Sequence, residues 1–454
     1  MISFENIDKY DWLYALYMNY LNLAHNHIYY RHFYILNQEN IPKNGEPVIA
    51  IANHQNGVMD ALAILHTLTQ DGRQPVFIAR GDIFKKKSVA KILRFLKIMP
   101  TFRSRDGNRS DVRSNIELYD RAARVLKAGG TLVIFPEATH QHGHYMNTFK
   151  KGFCRIAFSA EELHDFKLGV KVLPLNIHYS NYFNFRSDLM VTVGEPFTYE
   201  EFFDTYLENH DKAYHALNEK ARARVKEITP DIDIPEYYNE IEALTQMMSE
   251  PLLRHKGLRP AYLPNQKDAA MTIIAHLKQF KNVEPEQFDL LMEQTREYTT
   301  LLQQYGLHNW VINRKLSIFR FVFRSLGMLL SLPLFLFGFI NNYIPRAIIK
   351  HFTNKVKDPM LHSSFQYVIG TVATFPLFYL LLFALVWLIS KSGWIAFIYV
   401  FLTFMTAFFV HYYKIGIRKL GTVIRAMSLK HAADYQKLSS LQKIITGTME
   451  RVTF

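Results

Sequence analysis

The chain has one cysteine, Cys154, in 454 residues. That excludes a disulfide within the chain and fits a reducing compartment. The N-terminus lacks the basic segment, apolar core and small-residue cleavage site of a secretory signal, so none is expected. No repeat of solenoid period and no low-complexity stretch occurs. No recognised nucleic-acid module accompanies the positive charge, which argues against a nucleic-acid partner. What is present is a formal net charge of +13, a hydrophobic fraction of 49% and an aromatic fraction of 14%. Such a charge suits an anionic surface or a phosphorylated substrate, and the Phe and Tyr content favours a membrane. The length allows one large domain plus additional structure.

The stretch Asn53-His54-Gln55-Asn56-Gly57-Val58-Met59-Asp60 follows an apolar run from Pro47 to Ala52 that reads as a buried strand. The run from Ala61 to His66 after it reads as a helix. A carboxylate beside an imidazole at such a junction can fix one tautomer and stabilise the imidazolium formed when the ring takes a proton from a hydroxyl. If the hydroxyl belongs to the substrate, no Ser or Cys nucleophile is needed. The plainer alternative is a helix cap or a hydrogen-bonded core histidine.

Residues 8–34 read as an aromatic-rich helix, suited either to a membrane interface or to packing on the domain surface. Its His25, His27 and His32 read as polar contacts, not metal ligands. Further buried strands are expected at residues 75–79, 131–135, 170–177 and 189–196, alternating with helices that include a basic one over 82–99. This alternation predicts an α/β domain with a mostly parallel sheet flanked by helices. Ligands in such sheets lie beyond the carboxyl ends of the strands, where His54, Arg103 and Glu137 are all expected. Residues 199–310 read as charged helices. His140, His142 and His144 alternate in a polar loop, and a zinc site there is weighed and not adopted.

Residues 365–390 carry no formal charge, and a second apolar run covers 394–413 after a three-residue link. Each is long enough to cross a bilayer, so a C-terminal transmembrane hairpin is expected. Residues 325–345 have basic residues on both sides, which suits a re-entrant or interfacial element better than a simple crossing. Lys414, Arg418, Lys419 and Arg425 put the C-terminus on the cytoplasmic side with the catalytic domain, where positive charge would also attract anionic lipid.

Four features stand in order: Asn53-His54 with Asp60; Arg103 and Arg105 after Pro100; Phe135-Pro136-Glu137 at a strand end; and Leu173-Pro174 in a later strand. In that order, across residues 41–196, they resemble the four blocks of the phospholipid/glycerol acyltransferase family, which includes the glycerol-3-phosphate and 1-acylglycerol-3-phosphate acyltransferases. The resemblance implies His54 as general base, Asp60 as its orienting partner, and Arg103 and Arg105 as phosphate ligands. It also implies that Phe135, Pro136 and Glu137 shape the acceptor site and that Pro174 lies on the acyl side. No metal or other cofactor is implied; the acyl donor is acyl-CoA or acyl-carrier protein. Two departures stand out. Five residues separate His54 from Asp60 where the family usually has four, a spacing that resembles the eukaryotic-type glycerol-3-phosphate and dihydroxyacetone-phosphate acyltransferases. Gly57 is the residue suited to absorb the extra length as a tight turn. Ala138 stands where the family commonly has Gly.

The expected organisation is interfacial helices over 1–36, an acyltransferase domain over 37–230, a helical region over 231–315, a membrane domain over 316–430 and a tail over 431–454. The expected activity is acyl transfer from a thioester to glycerol-3-phosphate or 1-acylglycerol-3-phosphate, with the bilayer as partner and no nucleic acid. The alternatives are a remodelling acyltransferase for another lysolipid and a non-catalytic lipid-binding membrane protein.

Overall fold

The computed structural model describes residues 6–101, 109–139, 143–313 and 317–453. The chain divides into two compact units. One comprises Met1–Asp231 with Asp358–Tyr367; the other comprises Ile232–Lys357 with Val368–Phe454.

The first unit is built on a seven-stranded sheet: β1 (His32–Leu36), β2 (Val48–Ala52), β3 (Val76–Arg80), β4 (Ile98–Thr101), β5 (Thr131–Ile134), β6 (Lys171–Tyr179) and β7 (Asp188–Val193). Their spatial order is β1-β7-β6-β2-β5-β3-β4. All neighbours run parallel except β6 and β7. Every residue of β2 is fully buried, as a strand with parallel partners on both edges and cover on both faces requires. Helices Val58–Leu68, Lys87–Phe95, Arg109–Lys127, Gly152–Glu162 and His210–Glu227 accompany the sheet. The core contains Ile49, Ile51, Leu132, Phe153 and Phe158.

The sheet has two strands more than the sequence led us to expect, and they are its two edges. Residues 32–36 form β1, whereas the helix expected to continue to residue 34 ends with a π-helical turn, Ala24–Tyr29, and an extended Tyr30. Residues 98–101 form β4, and the basic helix is only Lys87–Phe95. Most residues of both edge strands are partly exposed, so neither shows the unbroken apolar burial of β2. The helix Trp12–Leu23 buries Tyr14, Met18 and Leu21 and leaves Trp12, Leu16 and Leu23 exposed.

Pro174 lies inside β6, which is not an edge strand, where a missing N–H would normally break the ladder. Its carbonyl accepts from Gly194 N at 2.8 Å. Pairing then resumes at Val172 and Phe197, with two residues on β6 facing three on the other side. A residue's N–H and C=O point to the same side of a strand, so the missing donor of Pro174 faces this bulge.

In the second unit, helices Tyr238–His255, Leu263–Val283, Pro285–Gln304 and Ala433–Thr453 pack around Leu244, Ile273, Phe288, Leu291 and Ile445. The pair Ile318–Leu330 and Leu332–Asn341 is bent by 49° where Pro333 opens the second helix. Two continuous helical stretches, Pro359–Ser390 and Gly393–Leu429, are long and apolar enough to cross a membrane. Lys391, in a left-handed conformation, ends the first.

Candidate active site

His54 stands two residues beyond the end of β2. Asn53, immediately before it, is buried and extends the ladder with its side chain: its amide donates to Ile177 O at 3.0 Å and accepts from Ile177 N at 2.7 Å. The chain must then reverse into the helix Val58–Leu68. It does so at Gly57, with φ +53° and ψ −122°, a conformation that disfavours any side chain. A Cβ at Gly57 would also lie 3.0 Å from Leu361 and 3.2 Å from the Ser364 hydroxyl. The turn absorbs the fifth intervening residue. Met59 points into the core, and Asp60, in the first turn of the helix, comes back to the histidine.

The Asp60 carboxylate is fully buried. One oxygen accepts from His54 Nδ1 at 2.8 Å and from the backbone N–H groups of Gln55 and Asn56, both at 2.6 Å. The other accepts from the Tyr179 hydroxyl at 2.6 Å. Four donors suit a carboxylate, which only accepts. The helix-cap reading and the paired-histidine reading thus hold together, since the same oxygen ties down the turn and the imidazole. With Nδ1 donating to Asp60, Nε2 carries the lone pair. The His54 ring stacks on Phe135, with centroids 4.4 Å apart and planes 21° apart, and its side chain is 18% exposed.

Glu137 follows the adjacent strand β5 and is 3% exposed. It accepts from His54 N at 3.2 Å on one oxygen, and from Asn147 Nδ2 at 2.9 Å and N at 3.4 Å on the other. Burial is the dominant influence on its acidity and raises its pKa from 4.5 to about 7, against these hydrogen bonds and the nearby His54. Pro136 accepts from Lys150 N at 2.8 Å, which secures the other end of this turn. Ala138, where the resemblance anticipates Gly, has φ +58°. The backbone there is left-handed, the shape for which glycine is favoured.

The carboxyl ends of three adjacent strands therefore supply Glu137 (β5), His54 (β2) and Tyr179 (β6). Pro174 is not among them. It pairs with Ile51, three residues upstream of His54, so it lies roughly 10 Å back along the strands. Arg103 and Arg105, together with His140 and His142, fall outside the described residues. His144 is described, and its ring stacks on His178 at 5.5 Å.

Several groups at the site carry no signal in the local sequence. Tyr179 and Asn147 are two of them. The others are Ser363 and Ser364, at the start of the first apolar helical stretch. Ser363 donates to the Asn56 side chain. The Ser364 hydroxyl donates to Asn56 O at 3.3 Å and accepts from Val58 N at 3.1 Å. The residues that begin an apolar helix thus brace the turn carrying His54 and Asp60.

A histidine and aspartate at the carboxyl edge of a mostly parallel sheet, with a second carboxyl group in the turn after the neighbouring strand, form an arrangement suited to general-base chemistry on a bound hydroxyl. Residues 32–178 match the Acyltransferase family model. The chain is 28% identical over 139 residues to a chloroplastic 1-acyl-sn-glycerol-3-phosphate acyltransferase of Arabidopsis thaliana, covering 31% of this chain and 34% of that protein. It is likewise 28% identical over 149 residues to a 1-acyl-sn-glycerol-3-phosphate acyltransferase of Borreliella burgdorferi, covering 33% of this chain and 52% of that one. The matches thus span about a third to a half of those relatives. The crystal structure of the 1-acyl-sn-glycerophosphate acyltransferase of Thermotoga maritima aligns with a TM-score of 0.33 and 23% identity, over 49% of this chain and 83% of that one.

Proposed function

We propose that the chain is a membrane-bound O-acyltransferase that moves a fatty acyl group from an acyl thioester to a hydroxyl of a phosphorylated glycerol. The named activity of the relatives puts 1-acylglycerol-3-phosphate first among acceptors and glycerol-3-phosphate second. The observation that carries this reading is the His54–Asp60 pair at 2.8 Å, with Asp60 held by three further donors.

In this reading Nε2 of His54 removes the acceptor's hydroxyl proton as its oxygen attacks the thioester carbonyl carbon. The C–O bond forms, the C–S bond breaks, and the proton on His54 passes to the departing thiolate. Asp60 keeps Nδ1 protonated and stabilises the imidazolium. No covalent acyl-enzyme forms and no metal is needed. Glu137 positions the acceptor beside Phe135 and Pro136, and Arg103 and Arg105 hold its phosphate, a task suited to guanidinium groups. Pro174 belongs to the acyl side through the bulge that it shapes. The acyltransferase domain covers 37–230. The apolar stretches Pro359–Ser390 and Gly393–Leu429 cross the bilayer, and the basic residues after Tyr413 set the cytoplasmic side, where the catalytic domain lies.

The test supplies labelled acyl-CoA to the purified chain in lipid with 1-acylglycerol-3-phosphate, glycerol-3-phosphate or dihydroxyacetone phosphate. Transfer to one of these is expected, with loss on His54→Ala while the protein stays folded and membrane-bound. Lipid binding without transfer to any acceptor would reject the reading.

A further inference from the structure

The net charge is concentrated in one part of the chain. Residues 298–433 hold fourteen Lys and Arg and a single acid, Asp358, and the rest of the chain carries 39 basic and 39 acidic residues. The whole excess therefore resides in the stretch that contains the apolar helices.

Within the second unit, some of these cations surround a crevice of about 260 Å³ between the helix Ile318–Leu330 and the basic half of Gly393–Leu429. Arg320, Arg324 and Lys419 supply the charge, while Phe321, Leu420 and Val423 supply apolar wall. Arg320 and Arg324 are four residues apart on one helix, where like charges repel. Among the described residues, the ion pairs of this unit all involve other cations. Three basic groups are thus gathered without a carboxylate to balance them.

The level of the crevice relative to the apolar run indicates what would balance them. That run ends at Tyr413, and at about 1.5 Å per residue Lys419 lies roughly 9 Å further along the helix. A hydrocarbon core that ends near Tyr413 puts Lys419 close to the headgroup layer. The helix Ile318–Leu330 also exposes the apolar side chains of Phe319, Phe323, Leu326 and Leu330, which suits an interfacial helix that carries cations beside an apolar face.

We propose that this crevice binds the headgroup of an anionic membrane phospholipid. Its phosphate sits among Arg320, Arg324 and Lys419, and the first carbons of its chains lie along Phe321, Leu420 and Val423. The site rests on the reading that the apolar helices cross a bilayer, and it is independent of acyl transfer.

The full chain in a neutral detergent, mixed with equal amounts of dioleoylphosphatidylglycerol and dioleoylphosphatidylcholine, is assayed by native mass spectrometry for retained lipid. Preferential retention of phosphatidylglycerol is expected, with affinity falling about fivefold for each cation removed from the set Arg320→Gln, Arg324→Gln and Lys419→Gln. The matched set Lys127→Gln, Lys212→Gln and Lys256→Gln should leave it unchanged. Excess inorganic phosphate should not displace the lipid. Retention unaltered by the first set, equal loss with the second, or displacement by inorganic phosphate would each overturn the proposal. Circular dichroism checks the fold, and if the triple variant misfolds, Lys419→Gln alone should still show its fivefold loss. Sedimentation with phosphatidylcholine vesicles tests the membrane reading separately: a wild-type chain left in the supernatant would refute that reading itself.

Discussion

The first unit contains two histidine arrangements that differ in almost every respect that matters for proton transfer. His25 and His66 face each other with ring centroids 5.1 Å apart, both buried, and Tyr30 and Tyr367 pack against His25. Burial lowers the pKa of His25 to about 4 and that of His66 well below its usual value, the latter helped by the neighbouring ring. His54 instead is partly open and has a buried carboxylate on Nδ1. A histidine becomes a candidate base through its partner and its access to a ligand. The first pair has the chemistry of core side chains, and the second has that of a site.

The strongest way to break this comparison is to remove each histidine in turn. His54→Ala should lower acyl transfer by a factor of about 10² to 10⁴, the usual worth of a positioned base, with little change in thermal stability. His25→Phe should leave the rate per folded molecule within about twofold, because the ring it removes is buried and packs on Tyr30 and Tyr367, not on His54 or Asp60. Asp60→Asn should reduce both quantities, because the carboxylate also ties down Gln55, Asn56 and Tyr179. Turnover and melting temperature of the three variants separate these cases. A fully active His54→Ala would end the catalytic reading.

Titration offers the next largest contrast, because two buried groups push stability in opposite directions. The His25 pKa is depressed by burial, so the folded chain resists protonation where the unfolded chain accepts it. Stability from this group is complete above pH 6.5 and is lost as pH falls toward 4, by roughly 3 kcal/mol in the limit. The Glu137 pKa is raised by burial to about 7, so the folded chain holds a proton that the unfolded chain has released. Its contribution is complete below pH 4.5 and is lost as pH rises through 7, again by roughly 3 kcal/mol in the limit. Denaturant unfolding from pH 4 to 8 should show the acid-side slope flatten in His25→Phe and the opposite slope flatten in Glu137→Gln. If neither variant changes the profile, these burials do not control it.

Tyr179 sharpens the comparison from within the site. Its hydroxyl is the fourth donor on Asp60, and a hydrogen bond to a charged group is worth about 1.5 to 3 kcal/mol. Tyr179→Phe should therefore lower turnover about tenfold, since the placement of the His54 ring depends on how Asp60 is held. A stability loss with unchanged turnover per folded molecule would make Tyr179 a packing residue.

These particulars also show where the sequence was readable. The five inner strands advertise themselves as apolar runs because partners on both edges and flanking cover bury them. β1 and β4 are half-exposed edges whose mixed patterns merge with the neighbouring helices. His54 and Glu137 were legible because each follows the end of such a run in a known order, Asp60 because it opens the helix that comes next, and Gly57 because a tight turn between them favours glycine. Tyr179 and Ser363 were not, because they reach the turn from 119 residues beyond Asp60 and 307 beyond Asn56. Only tertiary structure brings those side chains together.

Ala138 gives the smallest expected effect. Its N–H bonds Phe135 O at 3.2 Å, closing the turn that presents Phe135 to the His54 ring. A left-handed alanine costs about 1 to 2 kcal/mol, partly offset by the greater freedom a glycine would have in the unfolded chain. Ala138→Gly should therefore stabilise the fold slightly, by about 0.5 to 1 kcal/mol. The same change loosens the turn, so turnover should fall a few-fold even as the melting temperature rises. The His25–His66 pair rests on no such turn and should be indifferent. A loss of stability in Ala138→Gly would show that the Ala138 methyl group contributes packing that outweighs its backbone strain.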